Sequence, residues 1–347
     1  MRTSARVRRA WGLVVCTALA LGAACGDNRS APLEPSPAPD PPAAVGDVAV
    51  AGRAVDALSG TPMAGVTIRV AGHPDVTTDE AGVFVVPGGA SGLPRRPITA
   101  ESPAIVARTT YVRVPDSAVH LTLIPASFDL ASFDAMFRGD GRLRRWTRAP
   151  RLVVARRALT YVDNATTLTA TDQAIDDIEL QQLVDDLRDG LATLTGGTFT
   201  AFADVRIEEA AAGTPVQLSR TDTIFVFRAD GLHGATRFDG YTRWFWNDDG
   251  EVVRAVAMLD REYDASASAL ARRALRIHEL GHALGWRHVE GITSVMNPRS
   301  PALPTEFDRA GAVLAFARAP LNRSPDVDTP GATVNRTGGR LHSAEAP

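Results

Sequence analysis

Residues 278–288 read HELGHALGWRH, and no other stretch constrains the fold as tightly. His278 and His282 are four apart. On a helix both imidazoles then lie on one face, about a turn apart, where one metal ion can meet both. Glu279 points to the adjacent sector and can reach a water beside that ion without being a ligand. Gly285 follows His282 by three residues, and a glycine just past a helix end adopts positive φ without steric cost. The chain can then turn and bring His288 to the same ion. Three neutral imidazoles with an open fourth position describe a catalytic zinc site rather than a closed structural one. A fold that holds this segment therefore ends a helix in a sharp turn beside an open cleft.

The extension through Gly285 and His288 carries the specificity. At this chain's own composition, the five fixed residues arise by chance on the order of once in 100,000 chains, whereas the bare HExxH core is weak. The residue types imply one Zn2+ held by His278, His282 and His288. Zinc lowers the pKa of a water toward ~7 and polarises a carbonyl. Glu279 would take the proton as that water attacks a peptide carbonyl, then pass it to the leaving nitrogen.

HELGHALGWRH resembles the extended zinc motif of the metzincin metallopeptidases. That resemblance implies a methionine-containing turn beneath the zinc, and ITSVMNP supplies Met296 eight residues after His288. AVAMLD, SVMNP and LPTEFDRAGAVLAFA resemble the last strand, turn and final helix of generic matrixin-type domains. The resemblance spans about residues 150–319. It implies an edge strand above the cleft on which a peptide or protein substrate pairs as an added strand. By order that strand is YTRWFWN, so Tyr241, Trp244 and Trp246 are candidate substrate contacts, with both tryptophans on one face. The competing reading packs the two tryptophans in the core. Residues 297–305 would wall the pocket beyond the cleaved bond.

Several positions depart from the family. No cysteine follows Cys25, so nothing matches the zinc-blocking cysteine of animal matrixins. Calcium and structural-zinc loops are not evident, and His233 alone makes no site. Pro298 stands where some sister families place a zinc-touching tyrosine. Val289, after the third histidine, matches no common subfamily choice.

The rest of the chain reads as an α+β protein: a metzincin-like zincin domain, with a mixed twisted sheet and long helices, behind an N-terminal all-β sandwich. Residues 1–24 have the basic, apolar and small-residue layout of a signal peptide. The residues before Cys25 resemble a bacterial lipoprotein box, which implies lipidation at Cys25. Leu21 lies four before the cysteine rather than three, which leaves plain secretion as the alternative. Residues 25–46 are a proline-rich, lipid-anchored linker. The expectation is export to the bacterial cell envelope, with membrane contact only through that anchor. Residues 47–125 carry short β-branched runs between turn signals, the pattern of a small antiparallel sandwich. GRAVDALSGTPMAGVTIRV and VTTDEAGVFVV resemble the carboxypeptidase regulatory-like domain, an accessory transthyretin-like module. His73 there reads as a solvated loop residue.

Residues 126–320 form the zinc domain. A strand is expected at 151–157 and a helix at 171–197, with Ile175, Ile178, Leu183, Leu187, Leu191 and Leu194 at helical spacing. Strands follow at 203–210 and 222–230, then a hairpin over 241–260, the zinc helix at 265–284 and a last helix at 303–319. Residues 321–347 lack apolar periodicity and read as a disordered tail.

Charge bounds the partners. The net charge is −3, or about −7 without the four arginines near the N-terminus, which argues against nucleic acid. Oligomeric state is left open. A second reading from another class keeps the zinc domain inert and gives a binding or adhesion role to the sandwich of a surface lipoprotein. Glu279 argues against it, because an inert domain has no need of that carboxylate. A third keeps the site but directs it to an amide in a cell-wall peptide.

Overall fold

In the N-terminal strands, side chains alternate between core and solvent. Phe84 and Val86 point inward while Val83 and Val85 are exposed, as a two-residue period demands. The computed structural model describes residues 48–88, 95–299, 302–330 and 342–346. The signal segment, Cys25 and the whole linker lie outside these.

Seven strands make the first layer pair: β1 (Val48–Asp56), β2 (Thr67–Val70), β3 (Val76–Thr77), β4 (Val83–Pro87), β5 (Arg96–Glu101), β6 (Arg108–Val112) and β7 (Asp116–Leu123). They form two sheets, ordered β4-β1-β7 and β3-β2-β5-β6. Val50, Ile68, Phe84, Ile98 and Leu121 fill the core between them. The sandwich is not wholly antiparallel, because β1 and β7 pair in parallel.

Helix α1 (Leu130–Phe137) leads into a large mixed sheet. Its strands are β8 (Arg151–Ala155), β9 (Arg157–Thr160), β10 (Thr167–Ala174), β11 (Asp204–Glu208), β12 (Pro215–Gln217), β13 (Thr223–Asp230), β14 (Gly240–Trp246), β15 (Val252–Asp260) and β16 (His342–Ala346). β8 lies between β11 and β13, parallel to both. β13 and β15 are parallel, and β14 returns antiparallel to β15. β16 adds antiparallel to the outer side of β14.

Helices α2 (Asp177–Leu194), α5 (Ala269–Ala283) and α6 (Glu306–Phe316) bury their apolar stripes in the main core, and the short helices α3 (Leu232–Thr236) and α4 (Arg261–Ser266) join the strands. Asp176 caps α2 by accepting from the Glu179 N–H, and Ser268 caps α5 through Ala271. The architecture is mixed α+β, mostly sheet with a few helices. No described helix is long and apolar enough to cross a membrane.

Two further expectations change. The helix expected over 171–197 begins at Asp177, because residues 167–174 are strand β10. Ile178 is 84% exposed, while Leu180 and Val184 occupy the buried stripe. The tail expected to be disordered from 321 has structure over residues 321–330 and again in strand β16. Asn322 and Asp326 are fully buried, and Asp326 accepts from Arg108 of the sandwich and Arg318. Asp328 pairs with Arg108 as well. Ion pairs organise this stretch, so it carries no apolar period to read.

Candidate metal centre

The triad is built by a helix and the turn that ends it. His278 and His282 lie on α5, and both are buried. The helix closes at Leu284, and Gly285 takes φ 102°, where an added Cβ would press on the Arg144 carbonyl. The Trp286 N–H then bonds back to the Gly281 carbonyl at 3.0 Å, and His288 swings into line. The three Nε2 atoms stand 3.1, 3.1 and 3.2 Å apart.

Hydrogen bonding sets the tautomers. His278 Nδ1 lies 2.6 Å from the Val295 carbonyl oxygen, and His282 Nδ1 lies 2.8 Å from that of Trp286. A carbonyl only accepts, so each Nδ1 carries the proton and each Nε2 presents a lone pair inward. Two such lone pairs facing each other at 3.1 Å have no proton to share, and a cation resolves the repulsion. Nitrogens bound at about 2.0–2.1 Å in a tetrahedron stand roughly 3.3 Å apart, so the donor set fits zinc within about 0.2 Å. Burial, with the neighbouring His278 and His288, holds His282 well below the ordinary histidine range, which keeps it neutral and ready to ligate.

Glu279 is 1% exposed. Thr242 of β14 donates its hydroxyl to Glu279 Oε2 at 2.6 Å, while Oε1 is buried with no hydrogen-bond partner among the described residues. Burial pushes the carboxyl up to about 8, against the pull of the Thr242 hydroxyl. A cleft of about 310 Å³ opens beside His278, Glu279 and His288, walled in part by Arg237, Tyr263, Pro298 and Arg299.

Met296 is fully buried against α5, where a Cβ on Gly281 would collide with its sulfur. The Val289 N–H bonds the Met296 carbonyl at 3.1 Å, tying the methionine turn to the segment that carries His288. Asp308 of α6 holds the same turn. It accepts from Ser294 Oγ at 2.5 Å and the Val295 N–H at 3.0 Å, and forms a capping box with Thr305. Behind α5, Arg276 donates to Asp264 and Asp186, all three being at most 1% exposed. This anchors the helix two residues before His278.

The candidate residues of the hairpin divide by face. Trp244 is 2% exposed and stacks on the His282 ring at 5.8 Å. Trp246 is buried on the same face. Tyr241 alternates to the opposite face, against the smaller core that holds Phe225 and Met258, so it does not reach the triad. His233 bonds Asp239 and takes no part in the triad. His73 lies against the Pro87 carbonyl in the sandwich. Thr242, Gly240, Asp308 and Gly281 were not singled out from sequence. A Thr and a Gly alternating along the edge strand with Trp244 were the only signal for the first two.

No protein-family model matches the chain, and no curated protein matches it. Among solved structures, a cohesin–X-dockerin complex of Acetivibrio cellulolyticus aligns at 17% identity and TM-score 0.18, over 23% of this chain and 56% of that one. A putative carbohydrate-binding protein of Bacteroides uniformis aligns at 12% identity and TM-score 0.19, over 36% of this chain and 51% of that one. The chain thus spans about half the length of each. Overlaps this slight assign neither family nor function.

Proposed function

We propose that the chain is a zinc-dependent metalloendopeptidase of metzincin type, and that Glu279 is its general base and acid. The observation that carries the reading is the convergence of three imidazole nitrogens next to Glu279, which lines one cleft with His278 and His288 and whose Oε1 is buried without a hydrogen-bond partner among the described residues. The strand order β11-β8-β13-β15-β14, the antiparallel course of β14 and the Met296 turn support the metzincin assignment.

Zinc held by His278, His282 and His288 would supply Lewis acidity, making a water more acidic and a carbonyl more electrophilic. Thr242 fixes the Glu279 carboxylate by one oxygen and leaves Oε1 to receive the proton of the attacking water. The same carboxyl then returns that proton to the leaving nitrogen. The buried walls formed by Trp244, Leu275 and Met296 limit bulk water at the site. Export and lipid anchoring at Cys25 form part of this proposal and rest on the N-terminal sequence. The test is cleavage of casein by the zinc-loaded protein, with Glu279→Ala as control. Equal cleavage by both would overturn it.

A further inference from the structure

We propose that His342–Ala346 is a built-in pseudosubstrate, a strand that holds the outer edge of β14 in cis where an extended peptide would otherwise pair beside Glu279. Its inhibitory consequence rests on the proposed peptidase activity, but its occupancy of the edge does not.

The register is specific. His342 pairs with Trp246, Ala344 with Trp244 and Ala346 with Thr242, antiparallel throughout. Thr242 is the residue that bonds Glu279, and Trp244 is the one stacked on His282. β16 therefore runs toward the triad. A peptide laid in this direction presents to Glu279 the bond that follows its last paired residue.

The side chains fit that role. Positions facing the triad side hold alanines, and Ala346 is 6% exposed within the main core while Ala344 packs against it. At the far end the His342 ring stacks on Trp246 at 5.8 Å, and its Nε2 lies 2.9 Å from Asp248. An unpaired strand edge is a template for another chain, and this edge is covered by a strand of five residues. A tethered segment acts at an effective concentration of about millimolar, so it competes with a free peptide without binding tightly.

The experiment compares the full chain, a chain truncated after Arg340, and full-length Ala346→Asp, which puts a charge against the Glu279 end of the cleft. Each is loaded with zinc, checked for equal metal content and for unchanged circular dichroism, and titrated with fluorescein-labelled RLHSAEA. The truncated chain should bind the peptide about tenfold more tightly than the full chain, with Ala346→Asp moving the same way. Casein cleavage should rise severalfold in both variants. Equal peptide affinity for the full and truncated chains overturns the proposal. A tenfold affinity gain with no cleavage by any form supports the strand and overturns the peptidase reading.

Discussion

Thr242 on β14 and Glu279 on α5 meet through a 2.6 Å hydrogen bond, and that contact commits only one carboxylate oxygen. The second oxygen is left buried beside the triad. Removing the carboxylate should therefore abolish chemistry while sparing the ligands. Glu279→Ala is expected to lower kcat by about 10²–10⁴ and still bind one equivalent of zinc. Peptidase assays beside metal analysis check this.

Gly240 gives that carboxylate its space. A Cβ there would collide with Glu279 Oε1, and the carboxylate, held through Oε2 by the Thr242 hydroxyl, cannot retreat freely. Gly240→Ala should cost at least about tenfold in kcat, since a displacement of about 1 Å suffices for such losses. Zinc stoichiometry should be unchanged, and full activity with bound zinc would contradict the account.

The metal-free protein should lose stability as pH rises from about 6.5 to 8. Folded Glu279 holds its proton up to about 8, while the unfolded chain loses it near ~4.3. The folded state therefore binds more protons in this window, and its stability falls with pH, by about 2 kcal/mol across it. His282 acts in the opposite sense only below its unfolded value of ~6.5, because burial keeps it neutral. Denaturant midpoints against pH should slope downward for the wild type and lie flatter for Glu279→Gln.

Asp308 joins the last helix to the methionine turn, and its loss strands the Ser294 hydroxyl and the Val295 N–H in the core. Asp308→Ala should destabilise the protein by about 2–4 kcal/mol. Since Val295 also fixes the His278 tautomer, zinc affinity should fall as well. Thermal unfolding with and without chelator measures both effects.

Asp326 lies between Arg318 and Arg108 and joins the sandwich to the α+β domain that follows it. Burial would raise its carboxyl, but the two guanidinium groups hold it below the ordinary range. Asp326→Ala leaves the buried Arg108, Arg138 and Arg318 without this partner and should cost about 3–5 kcal/mol. Faster proteolysis of residues 321–330 would report the loosening.

Local periodicity accounts for what was legible beforehand. The four-residue spacing of His278 and His282, the positive-φ role of Gly285 and the alternation of Trp244 with Trp246 are properties of single elements. So are the strand runs of the sandwich and most of the helix stripes. Where one element passes into another the signal weakened. TATDQA reads as well in a helix as in β10, and Ile178 fits the helical spacing although it lies in the exposed first turn.

The sequence by itself determined three histidines that can converge, a carboxylate next to the first and two kinds of sheet, because these follow from helix and strand periods. Only the tertiary structure decided which oxygen of Glu279 is free, which glycine makes room for it, and which aspartate holds the methionine turn. It also decided that residues 321–330 are ordered by buried ion pairs and that His342–Ala346 covers the edge of β14. Each of these joins residues from separate elements, most of them far apart in the chain. Such partnerships depend on how elements pack, and they leave no period along the chain.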